Sequence, residues 1–180
     1  MNEVKRVGVV GAGVMGAGLG ENAALDGIDV VLVDIGEVQL NACRQRIEQS
    51  MRFAKMFRTA PRERPALEAR EAIKKISFVT EYAALEGCDF IVENTTEKWD
   101  VKKAAYHSLS ESISGKTVIA ANTSCFSITR LGGLIPNPER LLGIHFMNPV
   151  PMKDTVEMIR GHWTSEETIE FARTFLAQIG

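Results

Sequence analysis

Val7-Gly-Val-Val-Gly-Ala-Gly-Val-Met-Gly16 is an apolar run that ends in three glycines with the spacing G-x-G-x-x-G. A helical pattern follows at once, so the glycines lie where a strand turns tightly into a helix. In such a turn Gly11 permits the sharp bend, Gly13 leaves room where a pyrophosphate meets the backbone, and Gly16 lets the helix pack closely on the strand. The stretch therefore predicts a dinucleotide site whose phosphates face the positive end of the first helix.

The second apolar run supports this prediction. Val30-Val-Leu-Val33 ends in Asp34, which comes 21 residues after Gly13. A carboxylate at an interval of ~20 residues binds the ribose hydroxyls of adenosine and repels a 2′-phosphate, so we expect NAD as the cofactor rather than NADP. The alternative is an ordinary strand–helix–strand unit whose turn contains glycines and binds nothing.

Length, charge and composition exclude several classes of protein. The chain has 180 residues, a formal net charge of -2 and a hydrophobic content of 45%. These values fit one globular domain over residues 1–180 and give no basic surface for nucleic acid or an anionic membrane. No apolar stretch reaches the ~20 residues that span a bilayer, and we expect no signal peptide. The three widely spaced cysteines, Cys43, Cys88 and Cys125, fit reduced thiols in the cytoplasm and neither a disulfide framework nor a metal site.

Strand patterns alternate with helical patterns, which predicts a Rossmann-type, doubly wound, mainly parallel α/β sheet. Strands are expected near residues 7–10, 30–33, 76–79, 88–92, 116–121, 141–146 and 155–159, and helices near 14–25, 36–58, 66–74, 98–113, 128–131 and 165–177. The helices at 36–58 and 66–74 form a helical hairpin around the break at 59–65. This insertion, about residues 36–74, is either a surface excursion or an arm on the substrate side.

Ligands bind beyond the carboxyl ends of the strands in such sheets, and His145 lies at one of these ends. A histidine suits an enzyme that takes the proton of an alcohol as hydride leaves, because free imidazole titrates at ~6.5. Glu157 comes twelve residues later, inside an otherwise apolar strand, and would orient that imidazole if the two strands are adjacent. The alternative is a hydrogen-bonded core histidine and a glutamate on an exposed face.

Ser124 and Asn148 also follow predicted strands. No G-x-S-x-G elbow surrounds Ser124, which argues against an acyl-serine mechanism and leaves a helix cap or a donor to a substrate oxygen. Asn148 precedes Pro149 and is equally compatible with a plain turn. The other histidines, His107 in a helical pattern and His162 in a loop, are expected at the surface.

Four motifs in order carry a resemblance to a known family. They are Gly11-Ala-Gly-Val-Met-Gly-Ala-Gly-Leu19, Val92-Glu-Asn-Thr-Thr-Glu-Lys-Trp-Asp-Val-Lys102, Asn122-Thr-Ser124, and His145-Phe-Met-Asn-Pro-Val150 followed by Glu157. Over essentially its whole length the chain resembles the NAD-binding domain of the 3-hydroxyacyl-CoA dehydrogenases. The helical hairpin resembles the insertion that helps this family to receive acyl-CoA.

The resemblance implies reversible oxidation of a 3-hydroxyacyl thioester to the 3-ketoacyl thioester, with hydride passing to NAD. His145 would be the general acid/base, Glu157 its partner, and Ser124 a hydrogen-bond partner of the substrate oxygen. Asn148 would contact both substrate and nicotinamide. The implied cofactor-binding residues are Gly11, Gly13, Val14, Met15, Gly16, Asp34 at the adenosine ribose, Glu97, Lys102, Ser124 and Asn148.

The sequence departs from the family pattern around the expected substrate pocket. Cys125 stands where the family usually has serine, and Met147 stands where it has phenylalanine. Trp99 and Asp100 stand where the family often has leucine and a lysine or another polar residue. These differences leave open whether the thioester is carried by coenzyme A or by an acyl carrier protein.

Length is the larger departure. The family continues into an all-helical second domain that supplies another active-site asparagine and most of a homodimer interface, whereas this sequence ends at Gly180. We expect a truncated or isolated domain with an apolar face that the helical domain covers. A further hypothesis makes the chain a non-catalytic nucleotide-binding or structural relative, and the presence of both His145 and Glu157 argues against it.

Overall fold

A computed structural model describes residues 3–57, 67–153 and 155–180. Its strands are β1 (Arg6–Val10), β2 (Asp29–Val33), β3 (Ile76–Val79), β4 (Phe90–Glu93), β5 (Val118–Asn122), β6 (Leu141–Phe146) and β7 (Val156–Ile159). They form one sheet in the order β3-β2-β1-β4-β5-β6-β7. All neighbours pair in parallel except β6 and β7, which are antiparallel. The predicted doubly wound, mainly parallel sheet is confirmed.

Helices cover both faces of this sheet. They are α1 (Val14–Leu25), α2 (Glu37–Phe57), α3 (Ala69–Lys74), α4 (Trp99–Ser112), α5 (Ile128–Gly132) and α6 (Glu166–Ile179). Helices α1, α2, α3 and α6 pack on one face, whereas α4 and α5 pack on the other. Phe90 of β4 stacks on Phe175 of α6 with ring centroids 4.6 Å apart, and the next residue, Ile91, faces the opposite core. Burial on both faces explains why the strands are almost continuously apolar.

Strand β7 is antiparallel to β6 because the segment that joins the two strands is short. Residues 147–155 connect β6 to β7, and a parallel return would need a crossover of about a dozen residues or more. The chain therefore folds back beside β6. This return pairs His145 with Glu157 in register.

Several predicted bounds are confirmed, among them those of α1, β3 and β6. Ser165 is confirmed as the N-cap of α6, since its Oγ accepts the Thr168 N–H at 3.1 Å. Helix α3 begins at Ala69 instead of residue 66, because Glu68 has an extended backbone and acts as its N-cap. The predicted end of α2 at 58, the break at 59–65 and residue 66 lie outside the described residues.

Strand β4 begins at Phe90, two residues later than predicted. A 3-10 helix over Tyr82–Leu85, which the sequence pattern does not predict, precedes β4. The Cys88 N–H then donates to the Leu85 carbonyl at 3.1 Å, so Cys88 lies in a turn and not in the strand. Among the described helices, none combines the length and the apolar character that crossing a membrane requires.

Candidate active site

The glycine loop lies between β1 and α1, and its glycines meet different constraints. Gly11 has a φ of +101°, and a Cβ on it would lie 2.8 Å from the Asn94 carbonyl oxygen. A Cβ on Gly16 would lie 1.9 Å from the Gly11 carbonyl oxygen and 3.3 Å from Val9 Cγ1. A Cβ on Gly13, the N-cap of α1, would meet nothing within 4 Å. Gly11 and Gly16 keep the turn tight. Gly13 leaves open space before the helix N-terminus, where backbone N–H groups bind phosphate.

Asp34 lies at the carboxyl end of β2, beside this loop. Its Oδ2 accepts the Ala12 N–H at 2.6 Å, and its Oδ1 accepts the Ile35 N–H at 2.7 Å. Each carboxylate oxygen keeps a second lone pair for a ribose hydroxyl. In the first turn of α1, Val14 is half-exposed and Met15 is partly buried against the core. The loop and Asp34 together fit the dinucleotide that the sequence predicts.

His145 and Glu157 face each other across β6 and β7. Nδ1 of His145 lies 2.8 Å from Oε2 of Glu157. On the other side of the ring, Nε2 lies 3.0 Å from Oγ of Ser124, which follows β5. A carboxylate at Nδ1 favours the tautomer that carries its proton there, which leaves a lone pair on Nε2. Three of the four predicted catalytic residues therefore form one hydrogen-bonded chain, and its imidazole is 28% exposed.

Asn148, the fourth predicted residue, is exposed on the turn after β6. No hydrogen bond of the described residues joins it to the chain of three. The Asn148–Pro149 peptide bond is cis, and the residues that follow pack on α1. A Cβ on Gly18 would lie 3.1 Å from Val150 Cβ. The turn that carries Asn148 is thus supported by the same helix that begins at the glycine loop.

Side-chain amides join the ends of β4, β5 and β6. Asn122 Nδ2 donates to Asn94 Oδ1 at 2.7 Å, and Asn122 Oδ1 accepts the Phe146 N–H at 3.3 Å. The Asn94 N–H donates to the Val10 carbonyl at 2.7 Å. Sequence reasoning missed Asn94, for which the only signal was its position after a strand. These bonds tie the glycine loop to the strand ends that carry the catalytic candidates.

Glu97 and Lys102 occupy different environments. Glu97, in the loop after β4, has a side chain that is 38% exposed, whereas the Lys102 side chain on α4 has no exposed area. Lys102 Nζ lies 2.9 and 3.1 Å from the two carboxylate oxygens of Glu93 and 4.0 Å from Glu97 Oε2. This places Lys102 beneath Glu97, where its charge supports that carboxylate. The cofactor-binding role of Lys102 stays a prediction.

Two tyrosines near this edge stay protonated at neutral pH. Burial and the Glu93 carboxylate raise the pKa of Tyr106 well above its ordinary value. Burial, with the carboxylates of Glu93 and Asp34, raises the pKa of Tyr82 to about 12. Neither phenol ionises near neutrality.

The remaining histidines lie at the surface, as predicted. His107 Nε2 lies 3.5 Å from Glu111 Oε1 on α4, and its side chain is 77% exposed. His162 is exposed and contacts the edge of the Trp163 ring. Across the three described ranges, no group of three or more His, Cys, Asp or Glu side chains could hold a metal ion.

The fold and the site define a dinucleotide-binding α/β domain of the dehydrogenase type, with a histidine–carboxylate pair at the carboxyl edge of its sheet. Residues 6–180 match the family model described as 3-hydroxyacyl-CoA dehydrogenase, NAD binding domain. The chain belongs to this family of NAD-binding domains, as the resemblance predicts.

The names of proteins similar to this chain agree with this family. A 3-hydroxybutyryl-CoA dehydrogenase of Bradyrhizobium diazoefficiens is 38% identical over 178 residues, which cover 98% of this chain and 59% of that protein. A 3-hydroxyadipyl-CoA dehydrogenase of Escherichia coli is 36% identical over 171 residues, 94% of this chain and 35% of that protein. The crystal structure of (S)-3-hydroxybutyryl-CoA dehydrogenase from Ralstonia eutropha superposes with a TM-score of 0.90 at 32% identity, over 98% of this chain and 61% of that one. The chain thus spans about three fifths of the length of the first relative.

Proposed function

We propose that residues 1–180 form the NAD-binding domain of an oxidoreductase that transfers hydride between NAD and a 3-hydroxyacyl or 3-ketoacyl thioester of coenzyme A. The hydrogen-bonded chain Ser124–His145–Glu157 carries the proposal, because it supplies a proton carrier at the edge of the sheet that also holds the glycine loop. The names of the relatives, 3-hydroxybutyryl-CoA and 3-hydroxyadipyl-CoA dehydrogenase, support this substrate class.

The three side chains account for the movement of the proton. In the oxidation direction the C3 hydroxyl loses its proton as hydride leaves C3, and Nε2 of His145 takes that proton with its lone pair. Glu157 at Nδ1 holds the ring in this orientation and stabilises the imidazolium that forms. Ser124 Oγ, 3.0 Å from Nε2, hydrogen-bonds the same substrate oxygen. In the reduction direction the imidazolium returns the proton to the carbonyl oxygen.

NAD, when bound, supplies the acceptor of the hydride. The residues proposed to hold it are Gly11, Gly13, Val14, Met15, Gly16 and Asp34, with Glu97, Lys102 and Ser124 further along the cofactor and Asn148 at the nicotinamide. The open space before Gly13 suits a pyrophosphate at the N-terminus of α1. The negative charge of Asp34 disfavours a 2′-phosphate, which supports NAD over NADP.

We propose that the complete protein also carries a helical domain, forms a homodimer and works in the cytoplasm. The first relative is longer than this chain, which covers 59% of it. Met152, Ile159 and Trp163 are apolar side chains with 38% to 60% of their area exposed, as expected of surfaces that a further domain covers. The cysteines are free thiols, which fits a reducing compartment.

Replacement of His145 tests the proposed chemistry. In the complete protein, oxidation of NADH with acetoacetyl-CoA is measured by absorbance, and NADH binding is measured by fluorescence. We expect His145→Gln to lower kcat by at least about 100-fold, because proton transfer by a positioned side chain contributes roughly 100- to 10,000-fold. NADH affinity should persist, and the surface variant His107→Gln serves as the matched control.

Full activity of His145→Gln would contradict the proposed chemistry. A loss of stability in this variant, with no turnover in the wild-type protein, would favour the non-catalytic alternative. Turnover of a 3-ketoacyl group on an acyl carrier protein, without turnover of acetoacetyl-CoA, would replace coenzyme A as the carrier and leave the proton chemistry unchanged.

A further inference from the structure

The Glu97 carboxylate joins the loop after β4 to the loop after β5. Its Oε1 accepts the backbone N–H of Ser124 at 2.8 Å, and its Oε2 accepts the hydroxyl of Thr123 at 3.0 Å. The Cys125 thiol lies 3.6 Å from Oε2. One side chain thus receives donors from three consecutive residues, and hydrogen bonds to a charged acceptor are stronger than neutral ones.

A buried ion pair supports Glu97 from below. Lys102 Nζ lies 4.0 Å from Glu97 Oε2 and is bound by both oxygens of Glu93, and neither Lys102 nor Glu93 has exposed side-chain area. Glu93 Oε1 also accepts hydrogen bonds from the Thr95 N–H, at 2.7 Å, and from the Thr95 hydroxyl. Buried pairs of this kind hold their position because neither charge can separate without a large desolvation cost. The ammonium therefore offers Glu97 a fixed positive neighbour.

We propose that Glu97 is a positioning residue that fixes the backbone of Ser124 and thereby sets the hydrogen bond between Ser124 Oγ and His145 Nε2. This inference rests on the proposed function, in which Ser124 and His145 share the substrate oxygen. A side chain is aimed by its backbone, and the Ser124 N–H is held by Glu97 at 2.8 Å. Without that acceptor, Ser124 loses the contact that orients Oγ toward the imidazole.

A double-mutant cycle separates this role from direct cofactor binding. Glu97→Ala, Ser124→Ala and the double variant are compared in the complete protein by kcat for acetoacetyl-CoA, Kd for NADH and Tm. Glu97→Gln is the conservative variant, because it keeps one acceptor oxygen. Glu86→Ala is the matched control, because Glu86 is an exposed glutamate that precedes β4, at the amino ends of the parallel strands. The NMR signals of the Ser124 amide and the His145 ring give a readout that does not depend on turnover.

If Glu97 acts by positioning Ser124, the losses of kcat in the two single variants should not multiply in the double variant. We expect Glu97→Ala to lower kcat by about 10- to 100-fold, as small displacements of a reacting group do. The double variant should then fall within about twofold of Ser124→Ala alone, since coupled residues are not additive. Glu97→Gln should lose less kcat than Glu97→Ala, and both losses should persist when NADH is saturating, because kcat at saturation does not depend on how tightly NADH binds. The Ser124 amide and the His145 ring signals should shift in Glu97→Ala and stay in place in Glu86→Ala.

Three results would overturn the inference: His145 ring signals unchanged in Glu97→Ala, losses of kcat that multiply in the double variant, or a weaker NADH affinity with unchanged kcat at saturation. If His145→Gln and Ser124→Ala both keep full kcat, the proposed function fails. The ring signals still decide the positioning role in that case, because they report the contact itself.

Discussion

Gly16→Ala tests the geometry of the glycine loop most directly, because it adds one methyl group where the chain has no room. The new Cβ would lie 1.9 Å from the Gly11 carbonyl oxygen, whereas ordinary contact begins at 3.4 Å. Either the Gly11 peptide or α1 must therefore move by about 1.5 Å. Gly11 has little freedom to move, since its N–H donates to the Val33 carbonyl at 2.7 Å and its φ is +101°. The displacement falls on the first turn of α1.

Two opposing terms set the size of the effect. Alanine is the better helix former by ~1 kcal/mol, which favours the variant. Overpacking of a site without space typically costs ~1–3 kcal/mol and sometimes more. The overlap at Gly16 is far beyond what a flexible side chain absorbs, because the atom it meets belongs to the backbone. We expect a net loss of at least about 1 kcal/mol in the free energy of unfolding, together with weaker NADH binding.

Urea unfolding and NADH fluorescence measure these two effects. Gly20→Ala on the same helix is the matched control, because its Cβ would lie 3.4 Å from Leu32 Cδ1 and the variant should be at least as stable as wild type. Gly13→Ala should keep the stability and lose NADH affinity, since its Cβ enters only the open space before the helix. Wild-type stability and wild-type NADH affinity in Gly16→Ala would refute the reasoning.

Two more predictions concern charge and protons. Asp34→Ala should weaken NADH binding by about 10- to 100-fold, because it removes charged hydrogen bonds of ~1.5–3 kcal/mol. NADPH binding should not weaken, because the variant also removes the charge that repels the 2′-phosphate. Binding is measured by fluorescence, and an unaltered preference between the two cofactors would place the ribose elsewhere. Burial raises the pKa of the Cys43 and Cys88 thiols to about 11, from an ordinary value of 9.0. Between these two values the unfolded chain binds fewer protons than the folded one, so the free energy of unfolding should fall with rising pH by up to about 1.4 kcal/mol per pH unit for each thiol. Urea unfolding of Cys43→Ala across this window should show a shallower fall, and an identical slope would contradict the assignment.

The sequence pattern alone predicts the parts of the site that are formed by residues close together in sequence. The strand–turn–helix around Gly13 follows from glycine spacing and apolar runs. The contact between His145 and Glu157 could also be predicted, because two apolar strands joined by a short turn must lie side by side. Residues opposite each other in an antiparallel pair then share one face of the sheet.

The sequence pattern does not predict contacts between residues that follow different parallel strands and lie far apart in sequence. Lys102 lies on an amphipathic helix whose charges otherwise suggest solvent, and its burial depends on Glu93 at the end of β4. The bonds from Glu97 to Ser124 and from Asn122 to Asn94 join residues 27 and 28 positions apart. Such contacts require the register of two parallel strands, which the periodicity of either strand does not contain.

The order of the strands explains why this chain of contacts forms. Glu97 follows β4, Ser124 follows β5, His145 lies near the end of β6, and Glu157 lies on β7, so successive members come from neighbouring strands. Neighbouring strands lie ~4.8 Å apart, a distance that one side-chain hydrogen bond can span. The antiparallel edge is essential, because in a parallel pair Glu157 would need a crossover segment before it could reach β6. A slip of one residue between β6 and β7 would turn Glu157 to the other face of the sheet and remove the acceptor for His145 Nδ1.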